Sequence, residues 1–360
     1  MHNNADKQPT LIFEENSRLG LIQLNHTAVG NPLTTASMIE LTDKLYSWVE
    51  DPEIYAVIFQ SAIPDFFSTG SDQSEILSAL EESPELADQH FAKQYQALWK
   101  IECYTKPFIQ IINGKVSGSA AALSQFGTHL IAGENFRLSL PAVKQGFFPG
   151  AGISHILANL PHSMGQFLAL TGRDINRGDA VYLGLVEHAI DSLHFGDIAN
   201  AFKDAEPIDP ILDGLNQEPE PSELEKYQQV ISRTFNKTSI EAILEALGEE
   251  KGEYKEWAET VSAELSNLRE LSLKVTLSAL SKATKMTADE NLITDYRLVR
   301  RFLRDAEYRK GLSATVAGNP ATDWGQSALN EVATSSLEEY FTVFNSSDLE
   351  LPPRELGVDK

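Results

Sequence analysis

Apolar positions in the first half of the chain repeat with the short period of strands and the longer period of helices. Residues 11–14 and 19–24 are apolar runs joined by a Glu-Asn-Ser turn, which predicts a hairpin. Apolar residues at 38, 41, 45 and 48 give residues 35–50 the single core face of a helix. Continuous apolar runs at 55–59 and 108–112 predict buried strands.

The strand, strand, helix order is confined to the first 203 residues, which are interpreted as one α/β core. Residues 204–221 contain four prolines and many acidic residues, and are interpreted as a linker or a surface crossing. Residues 222–360 form a helical region. Its predicted helices are 222–234, 239–247, 252–265, 267–284, 288–305 and 336–343, with a loop at 314–334.

Two turns rich in small residues indicate chemistry at the backbone. FFSTGSD (66–72) follows the strand at 55–59, and NGKVSGSAAA (113–122) ends the strand at 108–112 and begins a helix. Small side chains let a ligand approach the backbone, and the unpaired N–H groups of a helix start favour negative charge. These are the parts of an oxyanion hole. A tightly packed strand-to-helix turn has the same sequence pattern.

Both motifs resemble those of the crotonase (enoyl-CoA hydratase/isomerase) superfamily, written F-x-A-G-x-D and N-G-x-x-x-G-G-G. FFPGAG (147–152) and FLALTG (167–172) match the same superfamily downstream. The resemblance implies a ββα superhelix followed by a helical C-terminal region. It also implies that the backbone N–H groups of Thr69 and Ser119 hold the oxygen of a coenzyme A thioester.

Three later segments, at 272–280, 290–303 and 338–357, resemble the 3-hydroxyisobutyryl-CoA hydrolase group. That group implies hydrolysis of a short branched 3-hydroxyacyl-CoA in valine breakdown. The substrate carries the CoA, and neither a cofactor nor a metal is implied. The resemblance assigns substrate contacts to seven residues: Phe67, Gly70, Ser71, Asp72, Gln94, Gly118 and Ala122.

The chain departs from the group at each side chain that would carry the chemistry. The acid of the family's P-E pair is Ala142, the acid of its F-P-D triplet is Gly150, and the acid of the preceding helix is Gln94. An oxyanion-hole glycine is replaced by Ser119, whose Cβ is expected to crowd a thioester. Loss of general acid–base catalysis typically costs about 10²–10⁴-fold in rate. Efficient hydrolysis is therefore not expected.

Other polar residues near the predicted site have structural interpretations. Lys144 would contact a CoA phosphate or simply be an exposed lysine. His155 lies on an otherwise apolar helix and is interpreted as a packing residue, as is His129 before an apolar strand. The single cysteine, Cys103, excludes an intrachain disulfide and is expected to be a small buried residue.

The overall charge narrows the classes of partner. There are 52 acidic residues against 29 lysines and arginines, a net charge of −23, with no basic cluster. Such a chain is not expected to bind nucleic acid or an anionic membrane. The first ten residues lack an apolar signal region, and no apolar run reaches membrane-spanning length. A cytoplasmic protein is therefore predicted.

Three hypotheses follow from the sequence. The chain is a slow acyl-CoA thioester hydrolase, a non-catalytic binder of CoA or acyl-CoA, or a scaffold that meets a protein partner or a second copy of itself. The first rests on the family resemblance and the second on a retained cradle without acids. The third rests on the acidic surface, which would suit a basic partner.

Overall fold

The computed structural model describes residues 9–26, 30–319, 324, 334–344 and 347–354. Ten strands form two sheets within this part of the chain. The strands are β1 Leu11–Asn16, β2 Leu19–Leu24, β3 Ala56–Ser61, β4 Asp65–Ser68, β5 Phe108–Ile112, β6 Gly114–Ser117, β7 His129–Ala132, β8 Arg137–Ser139, β9 Ile175–Asn176 and β10 His188–Ala189.

The larger sheet has the order β1-β2-β3-β5-β7-β10 and the smaller has the order β4-β6-β8-β9. β1 and β2 are the predicted antiparallel hairpin, and the other neighbours in the larger sheet are parallel. Consecutive strand pairs, β3 with β4, β5 with β6 and β7 with β8, place one strand in each sheet. This alternation confirms the predicted ββα superhelix.

Sixteen α-helices surround the sheets within the described residues. They are α1 Thr35–Glu50, α2 Gln73–Glu82, α3 Pro84–Glu102, α4 Ser119–Leu123, α5 Ile153–Ala158, α6 Met164–Thr171, α7 Arg177–Tyr182, α8 Phe195–Lys203, α9 Ile208–Leu215, α10 Gln228–Phe235, α11 Ile240–Gly248, α12 Lys255–Ser266, α13 Glu270–Ala283, α14 Ala288–Phe302, α15 Ala306–Val316 and α16 Thr334–Tyr340. None is long and apolar enough to cross a bilayer.

Helix α1 has the predicted bounds because its cap and its core face agree. The Thr34 hydroxyl accepts the Ser37 N–H, and the Ser37 hydroxyl accepts the Thr34 N–H, which forms a reciprocal capping box. Met38, Leu41 and Trp48 are buried on one side of the helix. Local sequence alone therefore predicts this element completely.

The proline-rich stretch at 204–221 contains a helix that its composition did not predict. Ile208 and Leu212 of α9 are buried with Phe202 of α8 against the outer face of the larger sheet. Their spacing of four residues provides the apolar stripe that packs there. Eight of the 18 residues therefore form an ordered helix within the predicted linker or surface crossing. The division into regions before and after it stays a prediction.

Two further elements differ from the sequence prediction. Gly114, expected to end a strand, begins β6, which pairs in parallel with β4 and β8. Helix α15 occupies residues 306–316, partly where a loop was predicted. The Asp305 carboxylate caps it by accepting the Tyr308 N–H at 2.8 Å. Most of the remaining predicted loop lies outside the described residues.

Candidate functional site

Two turns lie against each other at the ends of β4 and β6. These strands pair in parallel, with Ser68 opposite Val116, so the residues that follow them leave the sheet side by side. A Cβ atom on Gly70 would lie 2.8 Å from the Ser117 carbonyl oxygen and 2.9 Å from the Ser119 nitrogen. Because Gly70 also has a φ of 87°, only glycine permits this close approach.

Asn31 fixes the first turn from beneath. The Asn31 side-chain Nδ2 donates to the Phe67 carbonyl oxygen at 2.9 Å. The backbone carbonyl oxygen of Asn31 accepts the Ser68 hydroxyl at 2.6 Å. The Thr69 N–H donates to the Gly30 carbonyl oxygen at 3.0 Å. The predicted role of Thr69 as an oxyanion donor is therefore wrong in this structure, because its N–H is already paired within the turn.

A cyclic hydrogen-bond network joins the two turns to helix α3. The Ser71 N–H donates to Ser119 Oγ at 2.9 Å, and the hydroxyls of the two serines are also 2.9 Å apart. Gln94 Nε2 donates to Ser71 Oγ at 2.9 Å and to Ser119 Oγ at 3.0 Å. The Ser71 hydroxyl donates to Gln94 Oε1 at 3.2 Å. We call these three residues the Ser71–Gln94–Ser119 network.

The second turn keeps its N–H groups near this network. Gly118 has φ 58° and ψ −130°, whereas Ser119, at the first position of α4, does not have a positive φ. The serine at position 119 therefore introduces no backbone strain. The first N–H groups of a helix have no acceptor within the helix, so α4 itself does not pair the Ser119 N–H.

The network forms one wall of a cavity of about 410 Å³. Of the predicted site residues, Thr69, Ser71, Asp72, Gln94, Gly118, Ser119, Ala142 and Gly150 line it. Three predicted contacts do not fit. Phe67 packs on Phe59 in the core, with ring centroids 5.3 Å apart. Gly70 faces Ser117 and Ser119 of the other turn, and Ala122 is fully buried in α4.

Aromatic residues form the opposite wall. Phe147 contacts Tyr308 at a centroid distance of 4.7 Å and Phe302 at 5.2 Å. Tyr308 and Val316 of α15 also line the cavity, so the C-terminal helices help to enclose it. This contribution was missed because no sequence pattern connects residues so far apart along the chain.

The Tyr95 hydroxyl occupies the space beside Gly150. A Cβ atom on Gly150 would lie 2.8 Å from Tyr95 Oη. This oxygen accepts the Ala151 N–H at 2.9 Å, and burial raises the pKa of Tyr95 well above its ordinary value. The phenol is therefore neutral and holds the 150–152 turn. No sequence pattern indicated this role.

Asp295 supports the same turn from α14. Its Oδ2 accepts the Gly152 N–H at 2.8 Å, and its Oδ1 accepts the Ser154 hydroxyl at 3.4 Å. The side chain is completely buried, and this burial raises the pKa of Asp295 to about 7. Asp295 does not line the cavity and acts on it only through the turn.

Comparison with known proteins identifies the family. The family model described as enoyl-CoA hydratase/isomerase matches residues 19–341. The chain belongs to the enoyl-CoA hydratase/isomerase family. It is 28% identical to the mitochondrial 3-hydroxyisobutyryl-CoA hydrolase of Xenopus tropicalis, with 98% of this chain and 93% of that protein covered. It is 26% identical to the human protein of that name, with 97% of this chain and 92% of the human protein covered.

Solved structures show the same fold. A carnitinyl-CoA dehydratase from Mycobacterium thermoresistibile has a TM-score of 0.86 at 23% identity, covering 94% of this chain and 98% of its own. An enoyl-CoA hydratase from Rhodobacter sphaeroides 2.4.1 has the same TM-score and identity, covering 95% and 100%. The predicted crotonase superfamily and fold are confirmed. The likeness to the 3-hydroxyisobutyryl-CoA hydrolases extends over nearly the whole chain.

For a member of this family, the cavity has few groups that can transfer a proton. Among the described residues that line it, Asp72 is the only carboxylate, and no histidine, lysine or arginine is present. Asp72 Oδ1 caps α2 by accepting the Ser74 and Glu75 N–H groups, each at 3.0 Å. The arrangement can polarise a carbonyl group through backbone N–H donors, whereas the one carboxylate among the described lining residues is engaged as a helix cap.

The other polar candidates have structural contacts. Lys144 donates to the Gly172 carbonyl oxygen at 2.8 Å. The His155 N–H donates to Asn291 Oδ1 at 3.1 Å, and His129 pairs with Asp209 at 2.9 Å. None of the three lines the cavity. No cluster of three or more potential metal-ligating side chains occurs among the described residues.

Proposed function

We propose that this chain is a 3-hydroxyisobutyryl-CoA hydrolase-like protein that binds a short acyl-CoA thioester and hydrolyses it weakly or not at all. The observation that carries the proposal is the meeting of the 68–72 and 117–119 turns at one cavity wall. We assign the two oxyanion donors to the backbone N–H groups of Ser71 and Ser119, because the Ser71 N–H, unlike that of Thr69, is paired with a side-chain hydroxyl that a rotation of Ser119 can move away. Both residues line the cavity, and their turns are in direct contact.

The cavity has the size and chemistry of a small-ligand site. Its volume lies within the roughly 300–1,000 Å³ usual for such sites, and its wall combines apolar aromatic rings with a few convergent polar groups. Several relatives are named as hydrolases of 3-hydroxyisobutyryl-CoA, which supports a short acyl group. Ligand binding here requires only the backbone and the neutral network.

Weak or absent hydrolysis follows from the residues at the former acid positions. Ala142 and Gly150 cannot transfer a proton, and Gln94 is neutral at every accessible pH. Positioning and N–H donors remain, but general acid–base catalysis, worth about 10²–10⁴-fold, does not. A non-catalytic acyl-CoA binder is therefore the second candidate, and the same absence of acids favours it.

Calorimetric titration with CoA, acetyl-CoA and 3-hydroxyisobutyryl-CoA tests the binding. We expect saturable heat with the unmodified protein and its loss in Ala142→Phe, because a phenyl ring would fill the cavity beside the network. Leu193→Phe is the matched control, since Leu193 is 72% exposed and lies outside the cavity. Absence of binding, or equal binding by Ala142→Phe, would contradict the proposal.

A thiol-release assay with the same thioesters separates the two candidates. We expect release by the unmodified protein to be at least 10²-fold slower than a typical enzyme turnover of about 10 s⁻¹. Release above the Ala142→Phe background supports a slow hydrolase, and release equal to that background supports a non-catalytic binder. Turnover near the typical rate would show that other side chains have replaced the lost acids. Participation in valine breakdown and a cytoplasmic location remain predictions.

A further inference from the structure

We infer that the Ser119 hydroxyl makes this site discriminate against the carbonyl group of a thioester, so that it favours CoA or a CoA thioether over acyl-CoA. The inference rests on the proposed function, because it concerns the same cavity. It goes further by assigning a ligand preference to one side chain. Ser119 is thus a specificity-determining residue.

The geometry that supports this inference is the occupation of one donor by the protein itself. The Ser71 N–H, one of the two donors that we assign to a ligand oxygen, donates to Ser119 Oγ at 2.9 Å. A backbone N–H makes one well-aligned hydrogen bond. A carbonyl oxygen must therefore displace Ser119 Oγ before it can accept from both turns.

Displacement also disturbs the rest of the network. Ser119 Oγ accepts from Gln94 Nε2 at 3.0 Å and lies 2.9 Å from Ser71 Oγ, so a rotation of Ser119 breaks three contacts together. Gln94 is completely buried and cannot replace its partner with bulk water. A buried donor or acceptor that loses its partner costs more free energy than an average hydrogen bond contributes.

A ligand without an oxygen next to sulfur leaves the network intact. The free thiol of CoA and the thioether S-ethyl-CoA both lack the carbonyl group, yet each carries the same pantetheine arm as acetyl-CoA. S-ethyl-CoA also matches acetyl-CoA in chain length. The ratio of the two dissociation constants therefore isolates the effect of the carbonyl oxygen from every other contact.

The test is calorimetric titration of acetyl-CoA and S-ethyl-CoA into the unmodified protein, Ser119→Ala and Ser124→Ala. Ser119→Ala removes the hydroxyl but keeps Cβ, and Gln94 Nε2 retains Ser71 Oγ as an acceptor. Ser124 is a buried serine at the other end of α4, bonded to the Ala121 carbonyl oxygen, and is the matched control. Ser119→Gly is the second variant if Ser119→Ala does not fold.

We expect the unmodified protein to bind S-ethyl-CoA more tightly than acetyl-CoA. In Ser119→Ala, the ratio of the acetyl-CoA to the S-ethyl-CoA dissociation constant should fall about 3–10-fold, the effect of roughly one neutral hydrogen bond. Ser124→Ala should leave that ratio unchanged. Binding of both ligands with a ratio that Ser119→Ala and Ser119→Gly do not alter overturns the inference alone. No binding of either ligand by any variant overturns the proposed function as well.

Discussion

Gly150→Ala tests the placement of the Tyr95 hydroxyl in the space beside Gly150. The new Cβ would lie 2.8 Å from Tyr95 Oη and 3.1 Å from two ring carbons of Phe148. Ordinary contacts of a Cβ atom begin near 3.4 Å, so the neighbours must move by roughly half an ångström. Both rings are almost completely buried and cannot swing into solvent.

The expected magnitude follows from two opposing effects. Overpacking a well-filled interior costs about 1–3 kcal/mol. Gly150 does not have a positive φ, so alanine fits the backbone and recovers about 0.4–1 kcal/mol from the lower entropy of the unfolded chain. The difference between the central values of the two effects predicts that the free energy of unfolding falls by about 1.3 kcal/mol. Gly214→Ala, at a glycine with no atom near its Cβ position, is the control and should not lower stability through a steric clash.

Tyr95→Phe supplies the second arm of a double-mutant cycle. Alone, it leaves the buried Ala151 N–H without its acceptor, at a cost of about 1–3 kcal/mol. In the Gly150→Ala background it also removes the atom nearest the new Cβ. The combined loss should therefore be smaller than the sum of the single losses by about 1 kcal/mol.

Guanidinium unfolding followed by tryptophan fluorescence and by circular dichroism measures the four proteins. Coincident transitions and a common m-value allow the midpoints to be converted into free-energy differences. Losses that add within about 0.5 kcal/mol would show that the Tyr95 hydroxyl and the Cβ of residue 150 do not meet. A neutral Gly150→Ala would refute the steric argument directly.

Three further predictions concern stability. Burial raises the pKa of Asp295 from 3.8 to about 7, so its contribution to stability is full below about pH 4 and is lost as the pH rises towards 7. Asp295→Asn should remove this loss, and parallel curves of unfolding midpoint against pH for the two proteins would contradict the prediction. Asn31→Ala should destabilise by about 2–4 kcal/mol and weaken CoA binding, since it removes the side-chain bonds to the Phe67 carbonyl oxygen, the Ser61 hydroxyl and the His26 N–H; calorimetry with intact affinity would refute the link. Asp88→Ala should cost about 3–5 kcal/mol in denaturant unfolding, because it removes the carboxylate that pairs with Arg300 and leaves Arg304 with Glu85 as its acidic partner, and a loss below 1 kcal/mol would argue against a tight buried triad.

Elements with local signals were predictable from the sequence. Helix α1 carries its cap and its core face within residues 34–50, and the β1–β2 hairpin carries its turn between two apolar runs. Helix α9 was not predicted, because Pro207 and Pro210 at its start and a short apolar stripe gave conflicting signals. Its formation depends on the exposed face of a sheet whose strands lie between residues 11 and 189, which no local window contains.

The features of the candidate site likewise fall into those that the sequence could predict and those that it could not. The two turns could be identified from motifs, and the same motifs assign Ala142 and Gly150 to positions at which the resembled group carries acids. The donor in the first turn could not, because the pairing of the Thr69 N–H depends on Gly30, 39 residues earlier. The Ser71–Gln94–Ser119 network joins three elements that only the folded chain brings within 3.2 Å.

The aromatic wall of the cavity has a consequence for the order in which the chain is synthesised. Phe147 leaves the ribosome well before Phe302 and Tyr308, the rings that later cover it. At about 5–20 residues per second, the delay is roughly 8–30 s. During this interval the nascent α/β core exposes an apolar surface, because the helices that cover it have not yet been synthesised. Cells that make this protein therefore depend either on slow aggregation of the nascent chain or on a chaperone that binds this apolar surface until the last helices emerge.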